Sequence, residues 1–218
     1  MADLGALTAA IERGDRKEAT RITGVAIDDG VGPQAILDAM TAAMTEVGRR
    51  FACNEGVYVP EMLIAARAMK ESTVLLLPLL VAEGIQPEHT VVIGTVKGDL
   101  HDIGKNLVGM MLKGANLAVV DLGTNVPPER FVEAVQEHGA RLVGISALLT
   151  TTMVGMKDVV DAVHAAAPGV RIIVGGAPVT QEYADEIGAD GYARDAATAV
   201  SVAQTLLAGP SAGIAAPA

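Results

Sequence analysis

With 218 residues, half of them hydrophobic, the chain has apolar material for one large core or two small ones. It holds no Trp, two Phe and three Tyr, so that core must be built from Ala, Val, Leu, Ile and Met. A formal net charge of −10, with no run of Lys and Arg, argues against nucleic acid and anionic membrane surfaces as partners.

The start, Met1-Ala2-Asp3-Leu4, is acidic and mixed, unlike the basic-then-apolar order of a signal peptide. Helical patterns follow over Leu4–Arg13 and Asp15–Asp28, with Gly14 and Gly30 as stops. Pro33 suits a first-turn position. Behind it, Gln34–Phe51 carries Ile36, Leu37, Met40, Met44 and Val47 on one stripe. The only cysteine, Cys53, rules out an intramolecular disulfide and a Cys-rich zinc or iron–sulfur site. Pro60 repeats the device of Pro33, and Met62, Leu63, Ala66, Met69 and Thr73 continue its stripe. Four such helices bury their stripes only against each other, which predicts a four-helix bundle over residues 1–87. The longest apolar run, Val74–Ala82, contains Pro78 and falls well short of the roughly 20 residues that span a bilayer. The expectation is a soluble, cytoplasmic protein.

Glu83–His89, with Gly84 and Pro87, reads as a linker, and beyond it the pattern changes. Short β-branched runs recur at Thr90–Thr95, Leu117–Leu122, Leu142–Ser146 and Val170–Val174, with a weaker one at Gly191-Tyr192-Ala193. Between and after them lie the helical stretches Ile103–Lys113, Pro128–His138, Met153–Ala166, Glu182–Ile187 and Ala196–Leu207. Continuous apolar strands alternating with helices predict a parallel sheet covered on both faces. Over residues 88–210 this gives an α/β class domain: a flavodoxin-like (Rossmann-type), doubly wound, five-stranded sheet. Residues 211–218, small and Pro-containing, read as a flexible tail.

Ligands of open α/β sheets bind beyond the carboxyl ends of the strands. After the first strand comes Gly98-Asp99-Leu100-His101-Asp102-Ile103-Gly104-Lys105-Asn106. A neutral imidazole suits cobalt, iron, zinc or copper. Metal-bound His commonly donates its other ring N–H to a carboxylate. Both Asp99 and Asp102 are near enough in sequence to accept it. After the third strand comes Ser146-Ala147-Leu148-Leu149-Thr150-Thr151-Thr152, and after the fourth Gly175-Gly176-Ala177. These small and hydroxylic residues leave room for a bulky group and add no charge, which suits a nucleotide-like tail. His89, His138 and His164 lack companions and read as surface residues. A receiver-type domain would use a strand-end Asp such as Asp121, but the acidic cluster it needs after the first strand is missing.

Asp99-x-His101-x-x-Gly104, then Ser146-x-Leu148, then Gly175-Gly176 resembles the cobalamin-binding domains that hold their cofactor with its dimethylbenzimidazole displaced. The longer string Gly98–Asn106, with Glu55-Gly56-Val57-Tyr58-Val59-Pro60-Glu61-Met62-Leu63, is similar to methionine synthase and the small corrinoid proteins of methyltransferase systems. The resemblance implies a methyl carrier rather than an independent enzyme. Its cofactor would be cobalamin, as methylcobalamin or cob(I)alamin, base-off and His-on. It would serve a substrate-specific methyltransferase and an acceptor methyltransferase, with a reductive activase. His101 would be the axial ligand to cobalt and Asp99 its hydrogen-bond partner, with Thr152 completing a relay. Gly98, Leu100, Asp102, Ile103 and Gly104 would frame that loop. Ser146, Leu148, Thr150, Gly175 and Gly176 would hold the nucleotide tail, and Tyr192 and Ala196 would touch the cofactor at the last strand end. Phe51, Val59 and Met62 would shield the cobalt-bound methyl group and move aside for transfer. The same Asp-x-His-x-x-Gly motif also occurs in carbon-skeleton mutases and in cobalamin-dependent sensors. The helical cap and absent barrel disfavour the first; the missing Trp and basic region disfavour the second.

Overall fold

Asp3 and Asp15 start the first two helices by accepting hydrogen bonds from the backbone N–H groups of Ala6 and Glu18, each three residues on. Such caps satisfy amides that a helix start leaves without partners. In the computed structural model, which describes residues 3–83 and 87–209, they open α1 (Leu4–Glu12) and α2 (Arg16–Asp28). Pro33 opens α3 (Pro33–Ala52), where its missing N–H costs nothing. Glu61 reaches back to the Tyr58 N–H at the head of α4 (Val59–Ala82). Helix α1 packs on α2 and α3, and α4 on α2 and α3, which makes a four-helix bundle. Its buried side chains include Leu7, Ile11, Ile22, Ile36, Met40, Met44, Met69 and Leu76. Among the described residues, no helix is long and apolar enough to cross a membrane.

The remainder alternates strand and helix: β1 (Thr90–Thr95), α5 (Ile103–Gly114), β2 (Ala118–Asp121), α6 (Pro128–His138), β3 (Leu142–Ser146), α7 (Thr150–Met153), α8 (Gly155–Ala166), β4 (Arg171–Gly175), α9 (Gln181–Glu186), β5 (Gly191–Ala193) and α10 (Ala196–Ala208). All four strand pairings are parallel, in the order β2-β1-β3-β4-β5, the flavodoxin-like arrangement. The chain divides into two compact units, residues 1–87 with 113–116, and 88–112 with 117–218. One expectation needs adjusting. The helix expected from Met153 begins at Gly155 as α8, and ahead of it the N–H groups of Thr152 and Met153 turn onto the Leu149 carbonyl in the separate α7. The expected tail at 211–218 lies outside the described residues, as does the middle of the expected linker.

Period-two alternation assigns each strand residue to a face. Val92, Val143, Ile145, Ile172 and Val174 meet α6, α8 and α9 through Phe131, Val135, Met156, Val160 and Ala184. Val91, Ile93, Leu142, Ile173 and Ala193 meet α5 and α10 through Leu112, Ala199 and Ala203. His164 is not without a companion: β4–β5 pairing brings Asp190 to it from 26 residues away. The Asp190 carboxylate accepts from the Ile172 N–H at 2.8 Å and from Arg171 at 2.8 Å, and its Oδ2 lies 3.2 Å from His164 Nε2. Asp190→Ala is expected to lower the unfolding free energy by about 2 kcal/mol, because it leaves a buried N–H without its acceptor. Urea denaturation measures this, and a midpoint unchanged from the parent chain would contradict it.

Candidate functional site

The loop after β1 is fixed from several sides. Gly98 sits at φ +85°, a region that favours glycine. Its N–H donates to Asn125 Oδ1 at 2.8 Å, and the Asn125 N–H donates to the Asp99 carbonyl at 2.9 Å. The Thr95 hydroxyl donates to the His101 carbonyl at 3.0 Å. The chain then enters α5, where Asn106 donates to Asp102 through both its backbone and its side chain.

Asp99, with no exposed surface, is the centre of this arrangement. Its Oδ1 accepts from the His101 N–H at 3.0 Å and lies 2.7 Å from His101 Nδ1. Its Oδ2 accepts from the Leu148 N–H at 2.8 Å and from the Thr152 hydroxyl at 2.7 Å. Burial pushes the carboxyl up, but the Leu148 and His101 amides, the Thr152 hydroxyl and the His101 ring outweigh it. Together they hold Asp99 well below the usual carboxylate range. The carboxylate thus takes Nδ1 as a donor, which leaves Nε2 as the ring nitrogen without a hydrogen-bond partner among the described residues. The two acids that sequence left open are thus separated: Asp99 takes the imidazole, and Asp102 takes Asn106.

The His101 side chain is 52% exposed and lies at the mouth of a cavity of about 560 Å³. Leu100 and Ile103 beside it are 72% and 84% exposed, an apolar rim unusual for a solvated loop. The cavity runs along the α5/α10 face of the sheet. Ile93 lines it from β1, Gly144 and Ser146 from β3, Ile173 and Gly175 from β4, and Ala193 from β5. Asp102, Gly104, Lys105, Leu148, Gly176, Arg194 and Asp195 complete much of the wall. Gly176 sits at φ +131°, and a Cβ there would run into the Ala147 carbonyl, so the loops after β3 and β4 meet backbone to backbone. Gly176→Ala is expected to cost about 3 kcal/mol, since both strain and overlap must be relieved. A thermal midpoint within about 2 °C of the parent would contradict it.

Several expected residues stand apart from the cavity. Gly98 and Asp99 act from behind His101, and Thr152 acts through Asp99. Thr150 is exposed at the start of α7. Tyr192 lies on the opposite sheet face and packs into the α6/α8 core, because β5 alternates and Ala193 takes the cavity side. Ala196 turns inward at the head of α10, and Ala199, nearly one turn later, reaches the wall instead. In the bundle, Phe51 is half-buried, Val59 exposed and Met62 fully buried. Ile93, Gly144, Ile173, Ala193, Ala199 and the Arg194–Asp195 turn were missed by the sequence reading. The strand alternation pointed to the first four.

Comparison with known proteins follows the same lines. A B12 binding domain matches residues 89–201, and a second B12 binding domain matches residues 4–76. A corrinoid protein of Desulfitobacterium hafniense (strain Y51) is 36% identical over 213 residues, covering 95% of this chain and 98% of the relative. The trimethylamine corrinoid protein of Methanosarcina barkeri is 39% identical over 198 residues, covering 88% of this chain and 91% of the relative. Among solved structures, the methanol:cobalamin methyltransferase complex MtaBC from Methanosarcina barkeri matches with a TM-score of 0.80 and 32% identity, over 94% of this chain and 80% of that one. A cobalamin-binding protein from Desulfitobacterium hafniense DCB-2 matches with a TM-score of 0.80 and 29% identity, over 94% of this chain and 99% of that one. The chain therefore belongs to the B12-binding family of corrinoid proteins.

Proposed function

We propose that this chain is a methyl carrier that binds cobalamin base-off and His-on. It would pass a methyl group from a substrate-specific methyltransferase to an acceptor methyltransferase, with a reductive activase keeping the cofactor competent. The observation that carries this reading is the Asp99–His101 pair at the edge of the cavity, with Nδ1 held 2.7 Å from a buried carboxylate and the His101 side chain half exposed.

The donor set fits the group. Among the described residues no three His, Cys, Asp or Glu side chains converge to hold a metal ion. A lone imidazole holds a metal well when the rest of the coordination sphere arrives with it, as in a macrocycle. The exposed Leu100 and Ile103 offer an apolar seat beside that ligand, and the cavity behind it offers room for a displaced nucleotide tail. When bound, cobalamin supplies the cobalt centre that takes up and releases the methyl group. The protein supplies the rest: His101 as ligand, Asp99 to orient it and raise its basicity, and Thr152 to hold Asp99. Ser146, Leu148, Gly175 and Gly176 would line the tail's passage.

The test is reconstitution. The purified chain, titrated with cobalamin, is expected to convert the free cofactor's base-on spectrum to a base-off one. Loaded with methylcobalamin, it is expected to lose its methyl group only when an acceptor methyltransferase and that enzyme's methyl-accepting substrate are added. Failure to bind cobalamin, or binding with the base-on spectrum intact, would sink the reading.

A further inference from the structure

The loop between β2 and α6 contributes nothing to the cavity wall, yet it grips the His101 loop at more points than any local turn requires. We propose that Asn125 is a positioning residue for His101, setting the turn from which the imidazole is presented; this rests on the ligand role given to His101 above. Asn125 holds both sides of the Gly98–Asp99 turn. Its Oδ1 accepts from the Gly98 N–H at 2.8 Å, and its own N–H donates to the Asp99 carbonyl at 2.9 Å. Asp99 in turn places Nδ1 of His101 at 2.7 Å, so a shift of the turn is a tilt of the ring.

Position 125 makes two demands. Its φ is +55°, a left-handed conformation that Asn and Asp adopt more readily than most residues. It must also present a side-chain oxygen. The loop behind it is anchored. The Thr95 N–H donates to the Gly123 carbonyl at 3.0 Å, and the Val126 N–H donates to the Thr95 carbonyl at 2.9 Å. Asp121 accepts from the Gly123 N–H at 2.9 Å and from the almost wholly buried Lys105 ammonium at 2.6 Å. Lys105 lies in the first turn of α5, directly after the His101 loop. The loop thus cannot follow the turn if the turn slackens, and the strain of any misplacement falls on Asp99 and His101.

A double-mutant cycle on cobalamin affinity separates positioning from simple support. Asn125→Gly keeps the left-handed backbone accessible and removes only the acceptor. With His101 in place it is expected to weaken cobalamin binding by about tenfold, the scale of one lost hydrogen bond. In the His101→Ala background the same change is expected to weaken binding by less than about twofold, because there is no ligand left to misplace. Asn125→Asp, which retains the acceptor and tolerates the same φ, is expected to stay within about threefold of the parent. Equal weakening in both backgrounds, or none with His101 present, would overturn the proposal. If Asn125→Gly does not fold, Asn125→Ala removes the same acceptor from the Gly98 N–H, and the criterion is unchanged. A His101→Ala chain with the parent's spectrum and affinity would instead overturn the ligand assignment, and this role with it.

Discussion

Replacing His101 by Ala is expected to abolish the nitrogen-ligated spectrum of the cobalamin-loaded protein while leaving the unfolding free energy within about 0.5 kcal/mol of the parent. Both halves follow from the geometry. Half of the side chain faces solvent, and the ring's only hydrogen-bonding partner among the described residues is Asp99 Oδ1. Once the imidazole is gone, Asp99 still accepts from the His101 amide, the Leu148 amide and the Thr152 hydroxyl, so no buried group is orphaned. The proposed ligand, by contrast, has no deputy among the described residues. His89, His138 and His164 lie elsewhere in the chain, and no cluster of candidate ligands stands in reserve among the described residues. Absorbance of the loaded variant, with electron paramagnetic resonance of its Co(II) form, reads the coordinating nitrogen directly. An unchanged nitrogen signature would show that another base holds the metal.

Asp99→Asn changes the balance the other way, with a large cost in stability as well as in binding. The substitution is nearly isosteric, but an amide presents one oxygen where the carboxylate presents two. The four donors around Asp99 are two backbone amides, a hydroxyl and a ring N–H, and all converge on a carboxylate that has no exposed surface. The new NH₂ group must face at least one of them. Leaving donors unmet beside this buried group is expected to cost about 2–4 kcal/mol, and misdirecting the imidazole is expected to weaken cobalamin binding by about 10- to 100-fold. Thr152→Val is the milder control. It removes one donor to Asp99 and is expected to cost about 1 kcal/mol. Chemical denaturation of the apo chain and cobalamin titration measure the two effects separately. Parent-like stability together with parent-like affinity in Asp99→Asn would show that the carboxylate neither supports the loop nor tunes the ring.

The bundle and the sheet were legible because their signals are local. Pro33 and Pro60, each followed by a stripe at helical spacing, marked two long helices, and β-branched runs marked the strands to within a residue or two. His101 and Asp99 were legible through a short motif in one loop. The features missed depend on the third dimension. Asn125 is 27 residues from Gly98 and carries no motif, and only the parallel pairing of β1 with β2 brings its loop alongside. Tyr192 was placed beside the cofactor by resemblance, and a three-residue strand shows too little alternation to reveal that it packs into the α6/α8 core. The Asp190–His164–Arg171 cluster was invisible for the same reason, since its members meet only across the β4–β5 register.

Asp99 also sets a limit on how independently the loops of this protein can move. Its two oxygens serve different clients: one holds the imidazole and amide of His101, the other the Leu148 amide and Thr152 hydroxyl, 49 and 53 residues further along the chain. A displacement of the Leu148–Thr152 segment therefore redistributes the charge that Asp99 offers the ring, and with it the electron-donating strength of Nε2. The carboxylate is a mechanical linkage as well as an electrostatic one: pressure applied at the third strand's end is delivered, through one side chain, to the imidazole of His101.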